Sequence, residues 1–114
     1  GEDNVPDGVA LYWPGMAPCQ DSQAWVYAHA RAGMFLPLWG AVIGDTVDFG
    51  ACQYEVVALR RTTAVEATAL MTGGAPLTLQ TSLGPNPSFG VLLVQGLRVP
   101  RGRGTFLNME GVIE

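Results

Sequence analysis

Several residue types are scarce in this sequence, and each scarcity excludes a class of protein. The chain has six basic residues, all arginine, and ten acidic residues, which give a net charge of −4. A weakly acidic chain without a basic cluster is a poor binder of nucleic acid or of anionic membranes. One histidine and two cysteines are too few for a zinc site of four cysteines, or of two cysteines and two histidines.

Long apolar runs and targeting signals are absent as well. No run approaches the ~18 apolar residues that a bilayer-spanning helix needs, and no signal peptide is recognisable. We therefore expect any membrane attachment to come from an anchor segment outside these 114 residues. The acidic residues 1–8, GEDNVPDG, are predicted to form a flexible lead, and residues 9–114 a single domain.

Glycine, proline and hydrophobic residues are what the chain has in quantity. Hydrophobic residues make up 48% of the 114, and 15 glycines with 8 prolines favour short elements joined by turns. One short helix is expected near 64–71, one helical turn within 31–39, and a loop over 82–90. A bulge is expected at Gly96, and residues 105–113 either add an edge strand or stay a loop. Short apolar or alternating runs bounded by turn residues predict strands over 9–13, 24–29, 45–49, 53–59, 77–81 and 91–99.

Such a series of short strands is typical of a small all-β barrel or sandwich, and the pattern does not choose between them. Five sequence motifs, in the same order along the chain, are similar to those of the sortases, the surface transpeptidases of bacteria. The motifs are GVALYWPGMAP, YAHARAGMFLPL, GDTV, LTLQTS and SLGPNPSFGVLLVQGLRVP. The resemblance covers residues 9–100 and implies a closed or nearly closed β-barrel of about seven to eight strands with one or two short helices.

The resemblance also implies a setting and a set of partners. It implies a location outside the cell or at its surface, membrane-anchored in the full-length protein. The expected partner is a peptide sorting signal or a surface protein, with no nucleic acid and no cofactor.

Three positions carry the chemistry that the resemblance implies. Sortases use a cysteine nucleophile, a histidine that handles protons, and an arginine that stabilises the oxyanion or holds the substrate. The matching motifs place His29 at the histidine position, Ser82 at the cysteine position and Val91 at the arginine position. A cysteine thiol is partly ionised near neutral pH, whereas a serine hydroxyl is not and needs an oriented base to remove its proton. A valine side chain can neither donate a hydrogen bond nor carry charge. Losing one oxyanion donor costs about 10²–10³ in rate, so we expect impaired catalysis.

Three functions stay open from the sequence. The leading interpretation is a degenerate sortase-like domain that binds a peptide or protein in the old cleft without turnover. The first alternative is an active transpeptidase or peptidase with Ser82 as nucleophile and His29 as base, in which Arg31 or Arg60 replaces the lost arginine. The second alternative is a structural module of a surface protein, whose groove is filled by its own side chains or by a flanking segment.

Other polar residues have plainer interpretations. Arg31 is expected at the solvated surface, and Arg60 with Arg61 is expected to form a charge pair at a hairpin end. Asp45 is expected to form a turn rather than act as a catalytic acid. Thr81 is expected in the barrel wall, where it borders the cleft.

Cysteines, tryptophans and scattered acids complete the candidates. Cys19 and Cys52 are either a disulfide or two inert, partly buried thiols, because sequence alone does not show that their Cα atoms come within bridging distance. The tryptophans Trp13, Trp25 and Trp39 are expected in the core or in the cleft wall. No calcium-loop spacing is present and no metal is expected, since the acids are scattered at Asp45, Asp48, Glu55 and Glu66.

Overall fold

The computed structural model describes residues 9–30, 35–70, 74–85, 87–100, 102 and 104–109, and these form a mostly β fold. Within these described ranges, one α-helix, α1 (Ala64–Ala69), and two 3-10 helices, Leu36–Gly40 and Pro87–Phe89, accompany the strands. The seven strands are β1 (Leu11–Tyr12), β2 (Ala24–Tyr27), β3 (Thr46–Asp48), β4 (Gln53–Thr62), β5 (Leu77–Ser82), β6 (Val91–Val99) and β7 (Leu107–Asn108). They form one sheet in the order β1-β2-β5-β6-β4-β3-β7, curled into a half-barrel. The expected sortase-like all-β fold is confirmed.

The pairing of β2 with β5 determines which residues meet at the end of the sheet. These two strands are parallel, whereas β5 with β6 and β6 with β4 are antiparallel. Parallel neighbours need a crossover connection, and here it contains β3, β4 and α1. The C-terminal ends of β2 and β5 therefore lie side by side.

The two faces of the sheet are both partly covered. Most of the buried side chains pack on one face, which carries the main core. Its largest members are Phe35, Leu38, Tyr54, Leu77 and Leu79. On the other face a smaller cluster joins Trp25, Val91 and Leu93 to Ala67 of α1. We call this second face the α1 face. It carries every second residue of its strands, namely Trp25, Tyr27, Ala58, Arg60, Thr62, Thr78, Gln80, Ser82, Val91, Leu93 and Gln95.

Helix α1 begins at a side-chain cap and covers the α1 face. Thr63 is the N-cap, and its Oγ1 accepts a hydrogen bond from the backbone N–H of Glu66 at 3.1 Å. This capping satisfies a donor that the first helical turn leaves open. The helix lies within the predicted 64–71 range, and Ala67 is its buried residue.

The β3–β4 hairpin forms as the sequence predicts. A tight turn over residues 49–52 connects the strands, and Phe49 N donates to Cys52 O at 2.9 Å. Gly50 in this turn has a φ of +86°. A bulge was expected in β6 at Gly96, but the structure has it in the partner strand. The register shifts between Val56 and Ala58 of β4, opposite Gly96. A side chain at Gly96 would meet the Glu55 carbonyl oxygen at 2.9 Å. The glycine thus permits the close approach of β4 rather than forming the bulge itself.

The disulfide left open by the sequence is present. Cys19 and Cys52 are bonded, with their Cα atoms 5.5 Å apart. The bridge ties the loop after β1 to the start of β4. Cys19 N also donates to the Tyr54 hydroxyl at 2.9 Å, so the same loop is held twice.

Several element ends differ from the sequence prediction. Strand β2 ends at Tyr27 rather than at residue 29, and β4 continues to Thr62 instead of ending at 59. The helical turn within 31–39 is the 3-10 helix Leu36–Gly40, and the optional edge strand is β7. Residues 1–8, expected to be a flexible lead, lie outside the described residues.

Candidate functional site

The backbone of His29 lies at the end of β2, beside the end of β5. Ala24 pairs with Leu77 and Tyr27 with Gln80. The contact continues past β2, because Ala28 N donates to Gln80 O at 3.2 Å. Carrying this register forward by two residues puts His29 opposite Ser82.

The pairing of β5 with β6 extends this row. Ser82, the last residue of β5, pairs with Val91, the first residue of β6. Val91 in turn pairs with Thr62, the last residue of β4. Paired residues on neighbouring strands share a face. Ser82 and Val91 therefore lie side by side at one end of the α1 face, and His29, two residues past the end of β2, extends this row when the register is carried forward.

Val91 makes the arginine position of this row apolar. Its side chain is 6% exposed and belongs to the cluster of Trp25, Ala67 and Leu93. Cationic groups are seldom buried among apolar side chains unless they are paired. The local packing is thus built for a hydrocarbon side chain at this position.

The tryptophans divide between core and site. Trp25 is fully buried, and its Nε1 donates to Gln80 Oε1 at 2.9 Å. Trp13 is partly exposed and packs against Tyr27 with ring centroids 5.8 Å apart. Trp39, on the 3-10 helix, is 47% exposed, and its Nε1 donates to the backbone oxygen of Ser82 at 3.0 Å. Trp39 is therefore the indole that borders the Ser82 position.

The two arginines on β4 are not at a hairpin end, so that prediction is wrong. Strand β4 runs on to Thr62, and Arg60 and Arg61 pair with Leu93 and Leu92 of β6. Arg60 lies on the α1 face, one row behind Thr62. Its Nε donates to Gln95 Oε1 at 2.9 Å. Arg31 lies outside the described residues.

A buried polar pair holds Arg60 in this orientation. Gln95 is 5% exposed, and its Nε2 donates to Thr78 Oγ1 at 3.3 Å, while Thr78 is fully buried. A glutamine inside the apolar strand VLLVQGLRV was the sequence signal for this arrangement. Sequence reasoning missed it because a single polar residue in a strand does not reveal its partner on another strand.

An open groove of about 530 Å³ lies where β4 ends and α1 begins. Its lining consists of Arg60, Arg61, Thr62, Glu66, Ala69 and Leu70. Thr62 Oγ1 donates to Glu66 Oε2 at 2.5 Å across this groove. Since Thr62 also ends the row that contains Ser82, the groove opens directly beyond that row.

Two other predicted residues have structural contacts. Asp45 forms a turn, because its Oδ2 accepts from Val42 N at 2.8 Å and its N donates to Val42 O at 3.1 Å. Thr81 is fully buried in the sheet, and its Oγ1 donates to Ala28 O at 2.9 Å. That bond helps hold the end of β2 against the end of β5.

Comparison with solved structures identifies the architecture. Sortase C1 of GBS Pilus Island 1 superimposes with a TM-score of 0.64 at 21% identity, over 84% of this chain and 53% of that one. The chain has the sortase fold. Sortase C1 from Streptococcus suis gives 0.60 at 22% identity, over 82% of this chain and 59% of that one. Sortase C-1 from Actinomyces oris gives 0.62 at 24% identity, over 81% and 57%.

The similarity covers only part of each of these sortases. It spans between half and three fifths of the length of these sortases. No family model and no curated protein matches the sequence. Among the described residues, no helix has the length and apolar character needed to cross a membrane.

Proposed function

We propose that this is a sortase-like cell-surface domain that binds a peptide or protein segment beside the His29–Ser82–Val91 row and does not turn it over. The observation that carries the proposal is the burial of Val91 among Trp25, Ala67 and Leu93. An oxyanion or substrate carbonyl at Ser82 has no cationic side chain at the next position of the row.

Serine at the nucleophile position supports the same conclusion. A serine hydroxyl attacks a peptide bond only when a base removes its proton and donors stabilise the charge that develops on the carbonyl oxygen. The sequence motifs make His29 the candidate for that base. Val91 provides no donor for the carbonyl oxygen. Arg60 lies one row behind Thr62, and its Nε is already bonded to Gln95.

Binding is retained in this proposal because the surfaces around the row stay open. Trp39 presents an exposed indole beside Ser82, and a groove continues beyond Thr62. The similarity to sortases that include an enzyme of a pilus island supports a surface-protein or sorting-signal segment as the ligand. A location at the bacterial cell surface is part of the proposal and follows from the same similarity.

The alternative of an active serine enzyme is tested with a serine-reactive probe. The protein is incubated with a fluorophosphonate or a β-lactone, beside Ser82→Ala and His29→Ala, and intact masses are measured. We expect no mass increase that depends on both residues. Labelling abolished by Ser82→Ala and by His29→Ala would show an activated hydroxyl and would overturn the proposed loss of turnover.

A further inference from the structure

We propose that the groove formed by Arg60, Arg61, Thr62, Glu66, Ala69 and Leu70 recognises a carboxylate of an acidic residue in the bound peptide. This inference rests on the proposed function and adds the chemical class of the ligand. The groove joins the row of Ser82 at Thr62, so one peptide can cover both.

Arg60 is oriented for this task by buried partners. Gln95 and Thr78 fix its Nε from inside the sheet. Arginine has five N–H donors in a planar fork, and the edge formed by the two terminal nitrogens can grip a carboxylate with two parallel bonds. With Nε engaged by Gln95, that terminal edge is the part of the guanidinium left for a ligand.

Arg61 also lines the groove, but it pairs with Leu92 of the main core, so its side chain leaves β4 from the face opposite to that of Arg60. The Arg61 side chain is exposed to solvent. Two adjacent arginines are notable in a chain with six basic and ten acidic residues. Glu66 is the one acid in the lining, and its carboxylate accepts the hydroxyl of Thr62. The groove lining therefore keeps a net positive charge.

The sheet geometry sets the spacing of the acidic residue along the ligand. Thr62 is two strands from Ser82, which is about 10 Å at a strand separation of ~4.8 Å. An extended peptide advances about 3.3 Å per residue. The acidic residue should thus lie about three positions from the residue that covers Ser82.

The test uses two sets of fluorescent decapeptide mixtures, uncharged elsewhere, with either Glu or Gln fixed at one position at a time. Fluorescence anisotropy is expected to show about tenfold tighter binding for Glu than for Gln at one preferred position, with the preference falling as salt is added. Arg60→Gln should remove most of this preference, and Arg61→Gln, whose side chain starts from the opposite face of β4, should reduce it less. Arg98→Gln is the matched control, because Arg98 lies over the Tyr54 ring, away from the groove.

A gain of affinity provides a test that misfolding cannot imitate. Glu66→Gln removes the like charge from the groove and should tighten binding of the Glu peptides about two- to threefold, with no change for the Gln peptides. Equal binding of the Glu and Gln sets would overturn the carboxylate site but leave the proposed peptide binding intact. Binding of neither set would contradict the proposed function itself, and the carboxylate site with it.

Discussion

At the scale of single residues, Val91 decides more about this domain than the polar side chains around it. It lies in the row of His29 and Ser82, yet its neighbours are the hydrocarbon surfaces of Trp25, Ala67 and Leu93. A residue that is buried on packing grounds is not readily exchanged for a charged one. The apolar cluster and the absence of a cationic side chain at this position are therefore two consequences of the same residue.

Placing an arginine at this position should destabilise the fold. Val91→Arg loses the burial of a valine and inserts a charge into the cluster, so we expect the free energy of unfolding to fall by about 3 kcal/mol or more. Urea denaturation measures the change. Val65→Arg is the control, since Val65 is 81% exposed and should change stability by less than about 0.5 kcal/mol. Equal stability of the two variants would show that Val91 does not fill an apolar site.

At the scale of elements, α1 is a short helix whose position depends on its first turn. With six residues it is too short to be stable alone, so the Thr63 cap and the contact of Ala67 with the sheet must hold it. Because α1 supplies Glu66, Ala69 and Leu70 to the groove, the cap also maintains the proposed binding surface.

Removing that cap should loosen the helix. Thr63→Ala leaves the N–H of Glu66 without its acceptor and should cost about 1 kcal/mol in the free energy of unfolding. Hydrogen exchange of the α1 amides should become faster in the same variant. Thr68→Ala, in the same helix but away from the cap, should leave both measurements nearly unchanged. A Thr63→Ala variant with wild-type exchange would contradict the assigned cap.

The close pairing of β4 with β6 depends on Gly96. Its missing side chain lets the Glu55 carbonyl approach, so Gly96→Ala should cost about 1–3 kcal/mol, measured as a lower melting temperature. Gly40→Ala has open space around it and is expected to be neutral within about 0.5 kcal/mol. If both variants melted like the wild type, the close approach at Gly96 would be wrong.

Local sequence patterns predicted the strands better than their ends. Strand β6 was predicted from residue 91 to residue 99 and has those limits, because its apolar run lies between the breakers Gly90 and Pro100. Strand β4 was predicted too short, because Arg60, Arg61 and Thr62 show no hydrophobic alternation and are strand residues only through pairing with β6.

The candidate site depended on long-range pairing, which no local pattern contains. Nothing in the segments around His29 and Ser82 reveals that β2 and β5 run parallel to each other. The expectation that these residues belong together came from the sortase-like motifs. The hydrogen-bonded series of Thr78, Gln95 and Arg60 was not expected, because it joins three strands through side chains that are far apart in the sequence.

At the scale of the whole molecule, one covalent bond joins two distant parts of the chain. The disulfide closes a loop between residues separated by 33 positions. In the chain-entropy description, a loop of this length stabilises the folded state by about 3–4 kcal/mol because it restricts the unfolded chain.

Reduction should therefore lower stability by about that amount. Urea denaturation with and without reductant measures the difference, and a double variant, Cys19→Ser with Cys52→Ser, should show no response to reductant. The same unfolding midpoint in oxidised and reduced wild-type protein would mean that the bond adds nothing to stability.

In the proposed function, a segment of another protein binds beside the His29–Ser82–Val91 row and leaves unchanged. The most direct test is a ¹H–¹⁵N correlation spectrum recorded during titration with the decapeptide mixtures, with peptide masses measured at the end. We predict shifts concentrated at Ala28, Ser82, Val91 and the 60–62 segment, none at β3, and intact peptides. Cleaved or ligated peptides, or shifts confined to another part of the sheet, would contradict the claim.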